Sequence, residues 1–360
     1  MAAADQFYPE DEVAEIREFG NGNVNDTFLV SPRAENSGRF ILQRINPRVF
    51  RFPELVMQNI VTFTRHAFER LERAPLAGRR WEIPRVLLTR DSRDCWRDPD
   101  GYFWRAISFI GNACSFDTIN GIEHAREVGF ALGFFHNLVS DLPPDRLGDT
   151  LEGFHVTPLY LQRYDAVLEK TGTPRSSESL YCRKFINDRR PFAGVLEDAL
   201  ARGLLMLRPI HGDPKVNNIM IDTETLQAVS IVDLDTVKPG LVQYDIGDCL
   251  RSCCNPIGEE TDKFDEVCFE PDLCRAILQG YIPAAREFLT DADYGYIFHS
   301  VRLIAFELGL RFFTDYLEGD VYFKVKYREH NLTRALVQFR LAESIESRER
   351  EIRAIVRDLK

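Results

Sequence analysis

The sequence predicts an α+β chain with a small β-rich N-terminal lobe, residues 1–111, and a larger helical lobe, residues 112–360. Three observations carry this. Residues 1–111 hold short apolar runs separated by Gly- and Asn-rich or Pro-containing turns. From about Gly121 onward, apolar residues recur at helical spacing over long stretches. A single β interruption stands among those helices: NIMID, a turn at TETLQ, then AVSIVDLD.

In chain order, IREFGNGNVNDTFLV places apolar flanks around a Gly/Asn-rich turn, which is a hairpin signature. GRFILQRI is a further short strand. Leu55, Val56, Ile60, Phe63, Phe68 and Leu71 then recur at helical spacing between Glu54 and Arg73. RVLLT and GYFWRAISFI are two more strands across a polar turn. Helices are expected over 122–139 and 183–207 and, after the β interruption, over 272–289, 294–317 and 321–359. A small β lobe, a helical lobe and one hairpin between helices make the layout of a bilobal, protein-kinase-like fold.

Composition narrows the function. With 360 residues, 44% of them apolar, the chain can bury a core without covalent staples. A formal net charge of −11 argues against nucleic acid or an anionic membrane as the main partner, because both need a basic face. The eight cysteines include no C-x-x-C pair and have no His at zinc-like spacing, so they are expected to be reduced and to serve packing. MAAADQFYPEDE is acidic and lacks an apolar run, so no signal peptide is expected, and no apolar stretch reaches membrane-spanning length. The expected protein is soluble and cytoplasmic; its oligomeric state is left open.

The strongest chemical signal is His211-Gly212-Asp213-Pro214-Lys215-Val216-Asn217-Asn218. Phosphoryl transfer to a hydroxyl needs a carboxylate beside the acceptor and oxygen ligands holding magnesium on the phosphates. An H-x-D-x-x-x-x-N turn supplies both, with Asp213 as catalytic base and Asn218 as a metal ligand. Lys215, two residues after the base, can offset charge spreading over the γ-phosphate. Fifteen residues after Asn218, Asp233 follows the apolar run Val229 to Val232, where its carboxylate can bridge magnesium between the β- and γ-phosphates. The plainer alternative is that Asp213 caps a turn and Asp233 ends a strand. His211 is expected to hold the turn rather than touch substrate. Asp235 is open between a second metal ligand and a solvated carboxylate. Asp245 is open between buttressing the turn and capping the next helix, and Asp248 is expected to cap it.

In the small lobe, the turn containing Gly22, Asn23 and Asn25 lets backbone N–H groups approach phosphate oxygens, though an ordinary hairpin wants the same residues. Gln43 and Arg44 compete to meet the α/β-phosphates, since strand alternation lets only one point inward. Glu54 is an ion-pair partner for that position or a solvated side chain. Phe109, Ile110 and Gly111 end a strand where a kinase hinge would offer backbone groups to adenine.

H-G-D-x-K-x-x-N followed by I-V-D resembles the aminoglycoside phosphotransferase and choline kinase family. VNDTFLV, FILQRIN, HGDPKVNNIM, YDIGD, LGLRFFTDYLEGDVYF and EHNLTRA bring it nearest to the N-acetylhexosamine 1-kinase branch. The resemblance implies ATP and magnesium as cofactors and an amino sugar as acceptor, phosphorylated at its anomeric hydroxyl. It also implies that Arg311 and Tyr322 contact that sugar. The usual lysine of the third strand is absent, with Gln43 or Arg44 in its place. A guanidinium fork suits an amide carbonyl or hydroxyls, and a phenol gives an apolar face with a polar tip. Against these stand a helical pair between Arg311 and Glu307 and ordinary packing of Tyr322.

Other acceptors compete. Residues 251–320 hold 14 acidic and 6 basic side chains, an excess that suits a polycationic aminoglycoside. A choline-type acceptor wants an aromatic cage. Trp81, Trp96 and Trp104 all lie in the first third of the chain, so tyrosines would have to build it. A non-catalytic nucleotide-binding protein on the same fold is disfavoured by the joint presence of Asp213, Asn218 and Asp233.

Overall fold

A computed structural model of the chain describes residues 2–9, 12–20, 24–33, 38–172 and 176–360. They form two compact units. The first gathers Met1–Cys114, Asp141–Glu152 and Met220–Pro239; the second gathers Ser115–Ser140, Gly153–Ile219 and Gly240–Lys360.

The first unit opens with a helical turn, α1 (Ala4–Phe7), followed by β1 (Val13–Glu18), β2 (Asp26–Pro32) and β3 (Phe40–Ile45). Helix α2 (Pro53–Arg73) comes next, then the short strands β4 (Val86–Leu87) and β5 (Trp96–Arg97), then β6 (Phe103–Ser108). These strands make an antiparallel sheet in the order β1-β2-β3-β6-β4, with β5 also against β6. One face is covered by a cluster in which Ala3, Ala4, Val30, Phe40, Leu42 and Ala106 are buried, with Phe7 and Tyr8 packed against it. The α1 turn was not legible because it has too few residues to show a period. In register, Thr27 faces Gln43 and Gln43 faces Arg105, which aligns three polar side chains across adjacent strands.

Proline at its start sets the first turn of α2, and Val56, Met57, Ile60, Phe63 and Ala67 form its buried stripe. Asn59 interrupts that stripe and is fully satisfied. Its amide nitrogen donates to the carbonyls of Gly148 and Val237, both at 2.8 Å, and its oxygen accepts from the Gly148 N–H. Strand β7 (Ala113–Cys114) pairs with β9 (Ile219–Asp222), which pairs with β10 (Ala228–Ile231). The expected β interruption is therefore present.

The second unit is helical: α3 (Gly121–Leu138), α4 (Thr157–Thr171), α5 (Ser177–Arg189), α6 (Val195–Ala201), α7 (Val242–Cys253), α8 (Pro271–Ala285), α9 (Asp291–Glu318), α10 (His330–Ser347) and α11 (Glu349–Leu359), with β8 (Arg208–Ile210) among them. Two expected helices are broken. The stretch 183–207 divides between α5 and α6 around a tight turn at Arg190–Phe192 that contains Pro191, since proline disfavours helix before it. The stretch 321–359 begins its helix only at His330. Gly319 ends α9 in the left-handed region, and the Asp315 carboxylate takes the N–H groups of Val321, Tyr322 and Phe323 at 3.0, 2.7 and 2.9 Å. Those amides are thereby withdrawn from a helix. Helix α4 went unread.

Helices α3 and α8 touch through glycines. A Cβ on Gly280 would stand 2.0 Å from the Arg126 carbonyl oxygen and 2.6 Å from the Phe130 nitrogen. A Cβ on Gly129 would stand 1.9 Å from the Ile277 carbonyl oxygen. The neighbours are backbone, so only separation of the helices relieves the clash. Gly280→Val is therefore expected to destabilise by about 3 kcal/mol or more, read as a lowered urea midpoint at unchanged slope. An unchanged midpoint would mean the helices are not in this contact. Among the described residues no helix is long and apolar enough to cross a membrane. All eight cysteines are free.

Candidate active site

In the second unit, β8 delivers the chain into the turn that begins at His211. The turn is clamped by α7. The Asp245 carboxylate accepts the His211 N–H at 2.7 Å and the Gly212 N–H at 2.8 Å. It also lies 2.9 Å from His136 Nε2, with both side chains buried. Of the two roles open for Asp245, the structure thus selects the buttress. Asp248 does not cap. It sits in the middle of α7, buried, with its Oδ1 accepting from Arg251 Nε and Nη2 at 3.0 and 2.8 Å. Burial works against its charge, but Arg251, His155 and Lys215 outweigh it and hold its carboxyl below the usual range.

His211 is fully buried, and its Nδ1 accepts the Asp213 N–H at 3.3 Å, a turn-holding bond of the expected kind. Gly212 has φ +87°, a conformation glycine adopts freely. The Asp213 carboxylate is partly exposed and meets the Lys215 ammonium at 2.9 Å. Asp213 is the largest influence raising the Lys215 pKa, so that side chain stays cationic throughout the working range. Asn218 is buried and donates from Nδ2 to the Asp213 carbonyl at 2.8 Å. That bond fixes the amide and reserves Oδ1 as its acceptor atom.

Arg311 lies on α9. Its guanidinium carbon is 5.0 Å from the ring centres of Phe154 and Tyr160, 5.5 Å from Phe323 and 6.0 Å from Tyr322. The helical pair with Glu307 is present but long, at 4.0 Å. Burial disfavours the guanidinium charge; Tyr160, Tyr322, Glu307 and Asp213 outweigh it and raise the pKa. Tyr160 is pushed up to about 12, chiefly by burial. The exposed Tyr322 is set in place by the Asp315 carboxylate through its own N–H, and Asn331 braces Asp315 from Nδ2 at 3.0 Å.

In the first unit, the aligned polar row forms a closed network. Arg105 donates from Nε and Nη2 to Gln43 Oε1 at 3.0 and 2.7 Å, and Gln43 Nε2 donates to Thr27 Oγ1 at 3.1 Å. Arg105 is also ion-paired with Asp235, and both are almost completely buried. Asn25 Nδ2 donates to Asp235 at 2.6 Å, and its Oδ1 accepts the Asn46 N–H at 3.0 Å. Asp235 is therefore not solvated. Arg44 lies on the opposite face, paired with Asp26 and stacked 4.6 Å from the Tyr102 ring. Glu54 pairs with Arg97 at the surface. Asp233 has φ +63°, a conformation costing a non-glycine residue about 1 kcal/mol and concentrated at functional positions. In the 109–111 segment, the Phe109 N–H donates to the Arg39 carbonyl at 3.3 Å, the Gly111 carbonyl accepts from Arg80 at 2.6 Å, and Ile110 is buried. Gly22 and Asn23 lie outside the described residues.

A turn holding a carboxylate against an ammonium, with an amide oxygen reserved beside it, has the donor set of a phosphoryl-transfer centre. The sequence model of the APH phosphotransferase enzyme family matches residues 15–276. The chain belongs to this family. The phosphotransferase is thus an enzyme, a small-molecule kinase. It resembles the aminoglycoside phosphotransferase of Alicyclobacillus acidocaldarius at a TM-score of 0.64 and 15% identity, covering 99% of this chain and 96% of that one. It also resembles choline kinase from Cryptosporidium parvum (TM-score 0.58, 15% identity, 95% and 92% covered). The amicoumacin kinase hAmiN in complex with AMP-PNP and Ca2+ is a third (TM-score 0.55, 15% identity, 96% and 91% covered). At these identities the likeness carries the fold, which is the expected protein-kinase-like α+β class.

Sequence reasoning missed several of the phosphotransferase's supporting residues. Arg105 carried a signal, because Phe103, Arg105 and Ile107 share one face of a strand and an arginine there needs a buried partner; that partner is Asp235, a residue named from the sequence but for other roles. Asp315 and His155 carried none, since their contacts come from tertiary placement.

Proposed function

We propose that this phosphotransferase transfers the γ-phosphate of ATP to the anomeric hydroxyl of an N-acetylhexosamine. The observation that carries the acceptor class is the occupation of an aromatic enclosure by Arg311 of α9. Phe154, Tyr160, Tyr322 and Phe323 would suit a quaternary ammonium, but a guanidinium already fills the space among them. A fixed cation disfavours choline-like and polycationic acceptors and favours a neutral one rich in hydroxyl and amide oxygens. Part of the acidic excess of 251–320 is already engaged within the chain. Glu259 is tied to Arg251, Glu260 to Lys326, His330 and Arg334, Asp293 to Arg208, and Asp315 to backbone amides.

In this reading Asp213 orients the acceptor hydroxyl and accepts its proton as the oxygen attacks the γ-phosphorus and ADP leaves. Lys215, held cationic, offsets charge on the transferring group. The Asn218 amide oxygen and the Asp233 carboxylate are hard oxygen donors that fit magnesium, which when bound neutralises phosphate charge. Among the described residues no group of three or more His, Cys, Asp or Glu side chains is placed to hold a metal ion. Two protein donors accord with the habit of magnesium, which keeps water and phosphate oxygens in its shell. Gln43 and the polar row around Arg105 are assigned to the phosphate side, with Gly22, Asn23 and Asn25. The peptide groups around Phe109, Ile110 and Gly111 are assigned to the adenine edge.

An acceptor screen coupled to ADP release, with product position read by phosphorus NMR, tests the proposal. Turnover with an amino alcohol or aminoglycoside and none with any hexosamine would reject it. Arg311→Ala is expected to raise the hexosamine KM by roughly tenfold or more, the loss of one charge-assisted hydrogen bond, while the ATP KM stays within about twofold. Equal effects on both would indicate damage to the fold instead.

A further inference from the structure

His155 stands in the left-handed region at φ +66°, buried, between the catalytic turn and α9. Its Nδ1 is 3.0 Å from Glu307 Oε1, and its Nε2 is 2.9 Å from the Gly212 carbonyl oxygen. A carbonyl oxygen can only accept, and so can a carboxylate. A neutral imidazole has one N–H, so it would leave a nitrogen lone pair facing an oxygen at a buried position, where such a contact is costly. Only the imidazolium satisfies both contacts.

Glu307 is the other end of this link. It accepts the Thr157 hydroxyl at 2.8 Å and lies 4.0 Å from Arg311. Thr157 and Arg311 both turn donors toward Glu307, so the donor in the contact with His155 is the imidazole nitrogen. Gly212 is thereby held on both sides of its Cα, its N–H by Asp245 and its carbonyl by His155, immediately before Asp213.

We propose that His155 is a charged positioning residue. As an imidazolium it ties the Asp213 turn to Glu307 and hence to the helix carrying Arg311, and turnover falls when that one proton is lost. The inference rests on the reading of Asp213 as the base.

The groups facing His155 set the sign of its pH dependence. They are Glu307 and Arg311 on α9, Asp248 on α7, and the rings of Tyr244 (5.4 Å, stacked) and Phe154 (4.0 Å); Tyr160 lies beside Arg311. Tyr244 itself donates to Glu197 at 2.7 Å. Burial lowers the His155 pKa, but Glu307, Asp248 and the Gly212 carbonyl outweigh it, so the net direction is upward. A raised histidine pKa means the link is intact at low pH and is lost as pH rises through that value, above the ordinary value of about 6.5.

The test uses the full-length protein labelled with 15N, with ring nitrogens followed by long-range proton–nitrogen NMR against pH, alongside kcat profiles. At neutral pH both ring nitrogens of His155 should be protonated, with one ionisation that coincides with the alkaline fall of kcat. His155→Gln should lower kcat by about tenfold to a hundredfold, flatten the alkaline limb and leave the ATP KM unchanged. Glu307→Gln should move the ionisation to lower pH. A His155 ring carrying a single proton at neutral pH overturns the proposal, and so does an ionisation unmoved in Glu307→Gln. Because the NMR readout needs no acceptor, it decides the matter even if the assigned sugar proves wrong.

Discussion

Asp213→Asn should lower kcat by about 10²- to 10⁴-fold while leaving the ATP KM and the thermal midpoint nearly unchanged. The substitution is isosteric and removes the negative charge, and with it the ability to take a proton. What makes the separation clean is that the side chain does not hold its own turn. That work is done by Asp245 on the His211 and Gly212 amides, by His211 Nδ1 on the Asp213 N–H, and by Asn218 on the Asp213 carbonyl. The Asp213 side chain is 28% exposed, so its replacement leaves no buried charge unpaired. Lys215 loses its nearest counter-ion but still feels Glu259 and Asp248. Steady-state kinetics with calorimetry on the same preparation would check this. A variant retaining a tenth or more of the wild-type rate would remove Asp213 from the role of base. A midpoint lowered in proportion to the activity would reduce the residue to a structural one.

The parts of this protein legible in its sequence are those set by local spacing. The turn from His211 to Asn218 was readable because Asp213, Lys215 and Asn218 belong to one short segment whose backbone geometry nearly fixes where each side chain goes. The β1–β2 hairpin, α2 and the β9–β10 hairpin were readable from apolar periodicity. What stayed hidden depends on partners distant in sequence. Asp315 looks like one more acidic residue on a helix, and only its contact with three amides of the next segment makes it the residue that sets Tyr322 and delays α10. Asp248 lies near enough to the start of α7 to resemble a cap, but the helix begins at Val242 and the carboxylate faces Arg251 instead. The choice between Gln43 and Arg44 could not be closed from the strand alone. The strand does not announce that Gln43 stands in register with Arg105, nor that Asp26 pairs with Arg44.

Asp235→Ala should be the most damaging single change to stability in the first unit, costing about 3–5 kcal/mol. The reason is asymmetry between partners. Arg105 and Asp235 are 1% and 2% exposed, so removing the carboxylate leaves a buried guanidinium with one neutral acceptor, Gln43 Oε1. Arg105 Nη1 has no hydrogen-bond partner among the described residues even in the intact network. Asn25 loses an acceptor as well. Against a total stability of about 5–15 kcal/mol, that loss brings the unit near its unfolding threshold at ordinary temperature. Asp235→Asn keeps an acceptor and loses the charge, so it should fall between the two. The double variant Arg105→Met with Asp235→Leu should recover most of the loss, because apolar replacement of a buried pair removes both desolvation costs together. This variant also separates a structural role from a functional one. If Arg105 serves only the fold, the stable double variant binds ATP as the wild type does. If it supplies the cation that neither Gln43 nor the surface-paired Arg44 provides, the double variant folds and its ATP KM rises by an order of magnitude or more, on the scale of one lost charged hydrogen bond. Denaturant unfolding of the four-member cycle, with the ATP KM measured on each folded member, decides between them, and a coupling energy near zero would dissolve the pair itself.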